Sequence, residues 1–464
     1  MGRARVLLAV AVAVVVCGGS ASAARSATQE LTIKVSDGTD LACGLILPSA
    51  GPPPGGWPGV ILFHGLGQSH ADMERIGTVL APLGFASLAC DARGTGASGG
   101  TFGLDGPKDV QDARDLFDWL AARSDVSDTQ IGAFGLSLGG AVVWNAAIAG
   151  VPFKAIVPAI TWTDLGAALN PNGVPKNGLV GGLASVVPIS RWDASLAQAR
   201  GDLLSGFVTA AVRSTEAERS SRSRLHSLTV PTLLLQGRRD YLFDIDQALS
   251  AYKFLAGPKR LYIGDLGHPP ARNPTAELPQ YVGEAVAWFG HYLAGIGPVH
   301  GGVEIAHDPW DGSITSFKSV PPTRRVSVNL PGTKTLGNGK AAIRTVRFTG
   351  GPLETFGDGS VTVRYSGQRL WGGLIASVAL KGSSTPLTFG AAIVKRQAGV
   401  LRIPLSDQAV LIPRGKRLVV TVGDQAAGGV YSGVGRSPVP GATPTIKIGR
   451  VTLTLSLLKK TVSR

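Results

Sequence analysis

The segment Gly135-Leu136-Ser137-Leu138-Gly139-Gly140 constrains this fold more than any other stretch of the chain. It joins an apolar run, Gln130 to Leu136, to a second one, Ala141 to Ala149, whose composition suits a buried helix. A strand that turns sharply into a helix crowds its own backbone, and glycines on both sides of one residue relieve the crowding. The residue so flanked, Ser137, is then held at the tip of a sheet, with the Leu138 N–H opening the helix beside it. An incidental serine in a glycine-rich turn would lack both the strand before it and the helix after it.

The rest of the first two thirds repeats this strand–helix rhythm. Leu31 to Val35 and Leu41 to Leu47 read as a hairpin around Ser36-Asp37-Gly38-Thr39. Apolar runs at Gly59–Phe63, Phe85–Cys90, Phe153–Ile160, Thr232–Gln236 and Arg260–Ile263 read as strands, several of them continuous enough for a buried parallel sheet. Helical spacing falls between them, over His70–Leu83, Asp109–Arg123, Asp246–Phe254 and Thr275–Leu293. Residues 163–227 break the rhythm and read as an inserted helical lid. Past Gly297 the pattern becomes short β-branched runs, such as Val361–Tyr365, Leu374–Leu380, Leu387–Val394 and Leu418–Val422, separated by Gly and Pro. That is an antiparallel sandwich. At 464 residues the chain is long enough for two such units.

Two features address the chain and its partners. Arg3 and Arg5 precede an apolar run from Val6 to Cys17, and Ala21-Ser22-Ala23 follows as a small-residue cleavage site. Residues 1–24 are therefore expected to be a signal peptide cleaved near Ala23, leaving a secreted or cell-envelope protein, and no later run is long enough for a transmembrane segment. The formal charge of +14 is concentrated at the other end. Residues 320–464 carry 21 Lys/Arg against 4 Asp/Glu, whereas the first 319 carry 24 against 27. The basic C-terminal part suits an anionic cell-surface polymer, and its few interleaved aromatics argue against nucleic acid.

A serine at neutral pH needs a base, and the base needs an acid to hold it. Asp240 follows the run Leu233–Gln236 through Gly237-Arg238-Arg239, and His268 follows Arg260–Ile263 through Gly264-Asp265-Leu266-Gly267. Pro269 biases His268 away from helix and onto a loop. Asp244 and Asp246 lie further from the strand end, and Asp265 is close to His268 in sequence. His291 falls inside a helix, and His300 and His307 in the linker. The order Ser, acid, His is that of a sheet-tip nucleophile. Phe63-His64-Gly65-Leu66-Gly67 closes another strand, and its glycines let backbone approach a substrate, with the Leu66 N–H as second oxyanion donor. His64 is expected to be a hydrogen-bonded structural residue. Gly94-Thr95-Gly96-Ala97-Ser98-Gly99 matches a dinucleotide pattern but runs on into Gly100-Thr101-Phe102-Gly103 instead of opening a helix. It is expected to be a structural loop beside the site. With no His-Glu-x-x-His, paired Cys-x-x-Cys or calcium loop, no metal or cofactor is expected.

These motifs together resemble the α/β-hydrolases of the X-prolyl dipeptidyl peptidase and cocaine esterase group. The matching pieces are Asp37-Gly38-Thr39-Asp40-Leu41, Asp91-Ala92-Arg93-Gly94-Thr95-Gly96-Ala97-Ser98, the Ser137 turn, Pro231 to Asp240 and Leu261 to His268. The resemblance implies an α/β-hydrolase domain over residues 25–300, and a linker with a jelly-roll-like all-β sandwich over 301–464. It also implies a second strand antiparallel beside the fourth, which would bring Cys43 level with Cys90. A disulfide and two buried thiols on opposite faces are both compatible with that neighbourhood. The chain departs from the group at Leu138, where a Tyr is common. At His64-Gly65-Leu66 several members instead supply a Tyr hydroxyl. The replacement resembles the all-backbone oxyanion hole of ordinary esterases.

The expectation is a serine hydrolase that cleaves an acyl ester or amide through an acyl-enzyme. Ser137, His268 and Asp240 act as nucleophile, base and orienting acid, and the Leu66 and Leu138 N–H groups hold the oxyanion. Trp162 and Tyr241 contact the substrate, a small ester or short peptide, and Trp192 is a further wall residue. The other readings are an X-Pro dipeptidyl peptidase, acyl transfer to an alcohol, and a non-catalytic surface-binding protein on a hydrolase scaffold.

Overall fold

The apolar runs pair into one sheet of ten strands. They are β1 (Thr28–Lys34), β2 (Asp40–Ile46), β3 (Trp57–Phe63), β4 (Ala86–Cys90), β5 (Val126–Leu136), β6 (Ile156–Ala159), β7 (Thr232–Gly237), β8 (Lys259–Gly264), β9 (Gly302–Ala306) and β10 (Ile314–Phe317). In the computed structural model, which describes residues 28–424, 429–431, 441 and 443–459, their order is β1-β2-β4-β3-β5-β6-β7-β8-β9-β10. The six pairings from β4/β3 across to β8/β9 are parallel, and the edges are antiparallel. The expected signal segment lies outside the described residues. Among those described, no helix is long and apolar enough to cross a membrane.

Among the described residues nine α-helices connect or cover this sheet: α1 (His70–Leu80), α2 (Pro107–Ala121), α3 (Leu138–Ile148), α4 (Leu165–Leu169), α5 (Asn177–Ala184), α6 (Ala197–Leu204), α7 (Ala210–Arg219), α8 (Ile245–Phe254) and α9 (Leu278–Ala294). The apolar stripes of α2, α3 and α8 pack on one face, through Leu116, Leu120, Val143 and Ala248. Those of α1 and α9 pack on the other, through Met73, Leu80, Trp288 and Phe289. Helices α4 to α7 form the insertion between β6 and β7. They bury their own apolar cluster, including Leu165, Val180 and Leu203, against Leu138, Leu242 and Phe243.

The first sheet does not stop at residue 300. The segment expected to be linker supplies β9 and β10, and Val303 and Ile305 join the same core as the strands before them. After α9 the chain makes one more strand–helix–strand crossover, which the parallel sheet favours. A five-residue strand that opens on the pair Gly301-Gly302 carries too little periodicity to be separated from a linker in sequence.

Among the described residues ten further strands build the sandwich: β11 (Thr323–Leu330), β12 (Lys334–Leu336), β13 (Ala341–Arg347), β14 (Leu353–Arg369), β15 (Gly373–Leu380), β16 (Pro386–Ile393), β17 (Gly399–Gln408), β18 (Leu411–Ile412), β19 (Arg417–Gly423) and β20 (Thr445–Leu458). One antiparallel sheet runs β11-β20-β14-β17, with β12 on β20 and β18 on β14, and the other runs β13-β19-β15-β16. Period-two alternation sends Leu418, Val420 and Val422 of β19 inward to meet Val361, Val363 and Leu453 of the facing sheet.

Cys43 and Cys90 are direct partners in the antiparallel β2/β4 register and are joined by a disulfide. The Asp91 N–H donates to Ala42 O beside them, so the pair falls at the closer, non-hydrogen-bonded spacing of such a ladder. The bond spans 47 residues, and the chain-entropy argument gives on the order of 3–4 kcal/mol of stabilisation. Peptide mapping of unreduced protein should recover a Cys43–Cys90 cross-link, and Cys43→Ala should lower the urea midpoint by an amount matching that range. A free Cys43 thiol in the unreduced protein would refute the pairing.

Candidate active site

The site is built from the strand–helix turn upward. At the end of β5, Ser137 adopts φ 55° and ψ −113°, a left-handed-side conformation that a non-glycine residue holds only under constraint. The constraint is hydrogen-bonded. Ser137 N–H donates to Ala159 O at 2.9 Å and Gly140 N–H to Ser137 O at 3.0 Å, while Gly139 N–H donates to His64 O at 3.1 Å. The flanking glycines are sterically required: a Cβ on Gly135 would lie 2.2 Å from Gly139 O, and one on Gly139 would lie 2.3 Å from Phe63 O.

The loop after β8 delivers His268 to this serine. Its Nε2 lies 2.8 Å from Ser137 Oγ, and its Nδ1 lies 2.7 Å from Asp240 Oδ2. With Nδ1–H donating to the carboxylate, Nε2 is the nitrogen left to accept the serine proton. Asp240 is saturated by donors. Oδ2 also accepts the His268 N–H at 2.9 Å, and Oδ1 accepts the Leu242 and Phe243 N–H groups at 2.8 and 2.9 Å. The edge of the Phe243 ring meets the imidazole at 5.1 Å. All three side chains of the relay are buried.

The competing residues are engaged elsewhere. Asp265 accepts from Arg239 Nε at 3.0 Å. Asp244, which burial pushes up to about 6, accepts the Asp407 N–H at 3.1 Å. Asp246 pairs with Arg222 at 2.9 Å, and His291 donates to Gly297 O at 2.7 Å. His64 donates from Nδ1 to Gly65 O at 2.8 Å and accepts the Ala92 N–H on Nε2 at 2.9 Å. Burial holds its imidazole below the ordinary value, and with both nitrogens occupied it orders two loops.

The Asp91–Ser98 loop is likewise structural. Asp91 gathers the His70 N–H at 2.7 Å, His70 Nδ1 at 2.9 Å and the Ala97 N–H at 2.7 Å. Arg93 closes the loop onto Asp112 through Nε at 2.7 Å and onto Asp37 at 3.0 Å.

Ser137 sits at the junction of two cavities. The smaller, about 90 Å³, lies under the insertion and is walled by Phe102, Trp162, Trp192, Leu242 and Phe243. The larger, about 400 Å³, opens beside Ser137 and His268 and runs along the other side of the sheet. Leu66 lines both cavities, and Leu138 lines the smaller one. As the first residue of α3, Leu138 has an N–H with no intrahelical acceptor.

Sequence comparison matches residues 37–269, half of the chain, to the X-Pro dipeptidyl-peptidase family, S15. This chain belongs to the S15 family. Membership makes it a serine hydrolase, of the ester hydrolase or X-Pro peptidase type. No curated protein matches the sequence. Among solved structures, a CocE/NonD family hydrolase from Staphylococcus aureus superposes with a TM-score of 0.69 at 13% identity, over 93% of this chain and 94% of that one. An aminopeptidase from a marine sediment Thaumarchaeota archaeon does so with 0.69 at 13% identity, over 94% and 97%. An α-amino acid ester hydrolase gives 0.69 at 13% identity, over 93% and 97%. At this identity the likeness concerns the fold, and it extends over both units of the S15 chain.

One expected pocket residue of this S15 protein is not in the pocket. Tyr241 donates its hydroxyl to Pro386 O at 2.7 Å and packs its ring edge-on to Phe389 at 4.6 Å, both in the sandwich. Because Asp240 Oδ1 folds the following backbone into a tight turn, Tyr241 faces away while Leu242 and Phe243 face the cavity. Trp162 does wall the smaller cavity, with its indole N–H donated to Arg219 O at 3.0 Å. Phe102, Leu242 and Phe243 are wall residues that sequence reasoning missed. For the last two, the signal was the apolar pair directly after Asp240.

Gly139→Ala should shift the turn, because the atoms met by the new Cβ are backbone. A loss of about 1–3 kcal/mol is expected from overpacking, read as a lower urea midpoint at unchanged slope.

Proposed function

We propose that the protein is a secreted carboxylic ester hydrolase working through a Ser137–His268–Asp240 relay. Ser137 Oγ attacks the acyl carbonyl as His268 Nε2 takes its proton. The Leu66 and Leu138 N–H groups receive the oxyanion, and Asp240 steadies the imidazolium. His268 then returns the proton to the leaving alcohol, and water releases the acyl-enzyme by the same steps in reverse. The observation that carries this reading is the continuous chain of contacts from Ser137 Oγ through His268 to Asp240, at 2.8 and 2.7 Å.

The walls of the two cavities favour an ester over an X-Pro peptide. A dipeptidyl peptidase has to hold a free α-ammonium group, which calls for a carboxylate facing the substrate. Arg200 is the one charged residue among those lining the smaller cavity, and it stacks over Trp192 at 5.1 Å. The one carboxylate lining the larger cavity, Asp72, accepts the Ser69 N–H at 3.0 Å at the start of α1. Secretion is supported by the leader pattern and agrees with the cross-strand disulfide.

A panel of p-nitrophenyl esters and Ala-Pro-p-nitroanilide tests the substrate class. Ester turnover should exceed anilide turnover, and Ser137→Ala should cost on the order of 10⁶-fold in kcat and abolish fluorophosphonate labelling. Labelling that survives in Ser137→Ala would remove the reading.

For the basic sandwich we propose retention on anionic polymers. The reading is supported by an exposed group on one end of β13 and β19, where Arg347 and Arg417 are register partners beside Lys381, Arg414 and Lys416. Binding of the whole protein to an anionic matrix should weaken steeply with salt, and Arg347→Glu with Arg417→Glu should lower the eluting salt concentration. Elution unchanged by that double substitution would exclude this patch.

A further inference from the structure

The larger cavity is shaped by residues that ordinarily would close a core. From α1, Met73, Ile76 and Leu80 face it at helical spacing. From α9, Val282, Ala285, Val286 and Phe289 do the same, at positions i, i+3, i+4 and i+7. Phe134 and Leu136 of β5 form its floor. These two helices lie on the same face of the sheet, and the space between them is about 400 Å³. Folded interiors keep few voids larger than a water molecule, and an unfilled apolar void is destabilising. A space of this size is instead within the roughly 300–1,000 Å³ range of small-molecule sites.

Its mouth is the reaction centre. Ser137 and His268 line it, together with Gly65, Gly67 and Gly267. These glycines keep the opening narrow-walled. A Cβ on Gly267 would lie 2.9 Å from Asp240 Oδ2, and one on Gly67, at φ 83°, 3.0 Å from Val186. The smaller cavity under the insertion has room for only about three groups of water size, at roughly 30 Å³ each, whereas the larger one has room for about a dozen. A methylene is about as large as a water.

We propose that the α1/α9 cavity binds one unbranched aliphatic chain of about ten to twelve carbons, as part of the ester cleaved at Ser137. This rests on the hydrolase reading above. The chemistry required is a saturated chain, supplied by either the acyl or the alcohol half of the ester. Each methylene that enters should raise kcat/KM by up to about fourfold until the cavity is full.

Two ester series separate the halves: p-nitrophenyl esters from acetate to palmitate, and acetate esters of ethanol to hexadecanol. One series should climb with length to about ten to twelve carbons and then fall. Ala285→Phe and, separately, Val282→Phe would fill the cavity from α9. Each should move the optimum to shorter chains and lower kcat/KM on the decyl member of that series at least tenfold, with thermal stability near wild type. Direct binding keeps the test independent of turnover. Titration of the Ser137→Ala protein with 1-decanol and with decanoate should show one site for at least one of them, weakened at least tenfold by Ala285→Phe. If no ester of either series is cleaved, the ester hydrolase reading fails, and the two titrations still decide the cavity. Flat length series in an active enzyme, or no binding of either decyl compound, would overturn the aliphatic-chain assignment.

Discussion

The five residues from Gly237 to Tyr241 are the point on which both halves of this molecule depend. Asp240 gives all its acceptor capacity to four N–H donors, two from its own turn and two from His268. Its neighbours are bound outward. Arg239 reaches Asp265 at 3.0 Å and Asp308 at 2.6 Å, and the second oxygen of Asp308 accepts the Leu411 N–H of the sandwich. Arg238 donates to Ala409 O at 3.1 Å and accepts the Ala409 N–H on its own carbonyl at 3.0 Å. Tyr241 finishes the seam at Pro386. Removing one partner from a buried pair of this kind costs about 3–5 kcal/mol, because the other charge is left uncompensated. The sandwich therefore bears directly on where Asp240 sits, although none of its described strands carries Ser137, Asp240 or His268.

The serine depends on this rigidity from the other side. A positive φ at Ser137 persists only if its surroundings over-determine it. Here they do, through Ala159, His64 and the two glycines that permit β3, β5 and α3 to approach. His64 carries that order onward to the Asp91–Ser98 loop through Ala92. From this loop Asp91 fixes the first turn of α1, one wall of the larger cavity. Ser137, the His64–Gly67 loop and the cavity wall thus share one hydrogen-bonded frame.

Much of this frame was legible in the chain. The glycines around Ser137, the positions of Asp240 and His268 after their strands, and the switch to β-branched alternation are local patterns with direct steric or periodic causes. The neighbourhood of Cys43 and Cys90 was implied by the family resemblance, but the choice between bond and thiols was not. Register decides it, because a one-residue slip sends the two side chains to opposite faces. The strands after α9 were missed because five residues that open on a glycine pair look alike in a linker and at a sheet edge. Tyr241 was misplaced for a related reason. An aromatic after a catalytic-type acid points toward the site or away from it according to the turn, and the hydrogen bonds that set the turn are made by Asp240 itself.

The chain alone specifies Ser137 at a sheet tip and puts Asp240 and His268 directly after their strands, because strained turns and buried strands demand particular residues at particular spacings. The space around them comes from the folded arrangement. The stripes on α1 and α9 have the periodicity of core helices, and nothing in that periodicity says whether two such stripes meet or stand apart. Their separation is set by how β5, β7 and the Asp91–Ser98 loop position each helix over the sheet. Contacts distant in sequence thus turned an ordinary pair of core faces into a chamber beside Ser137.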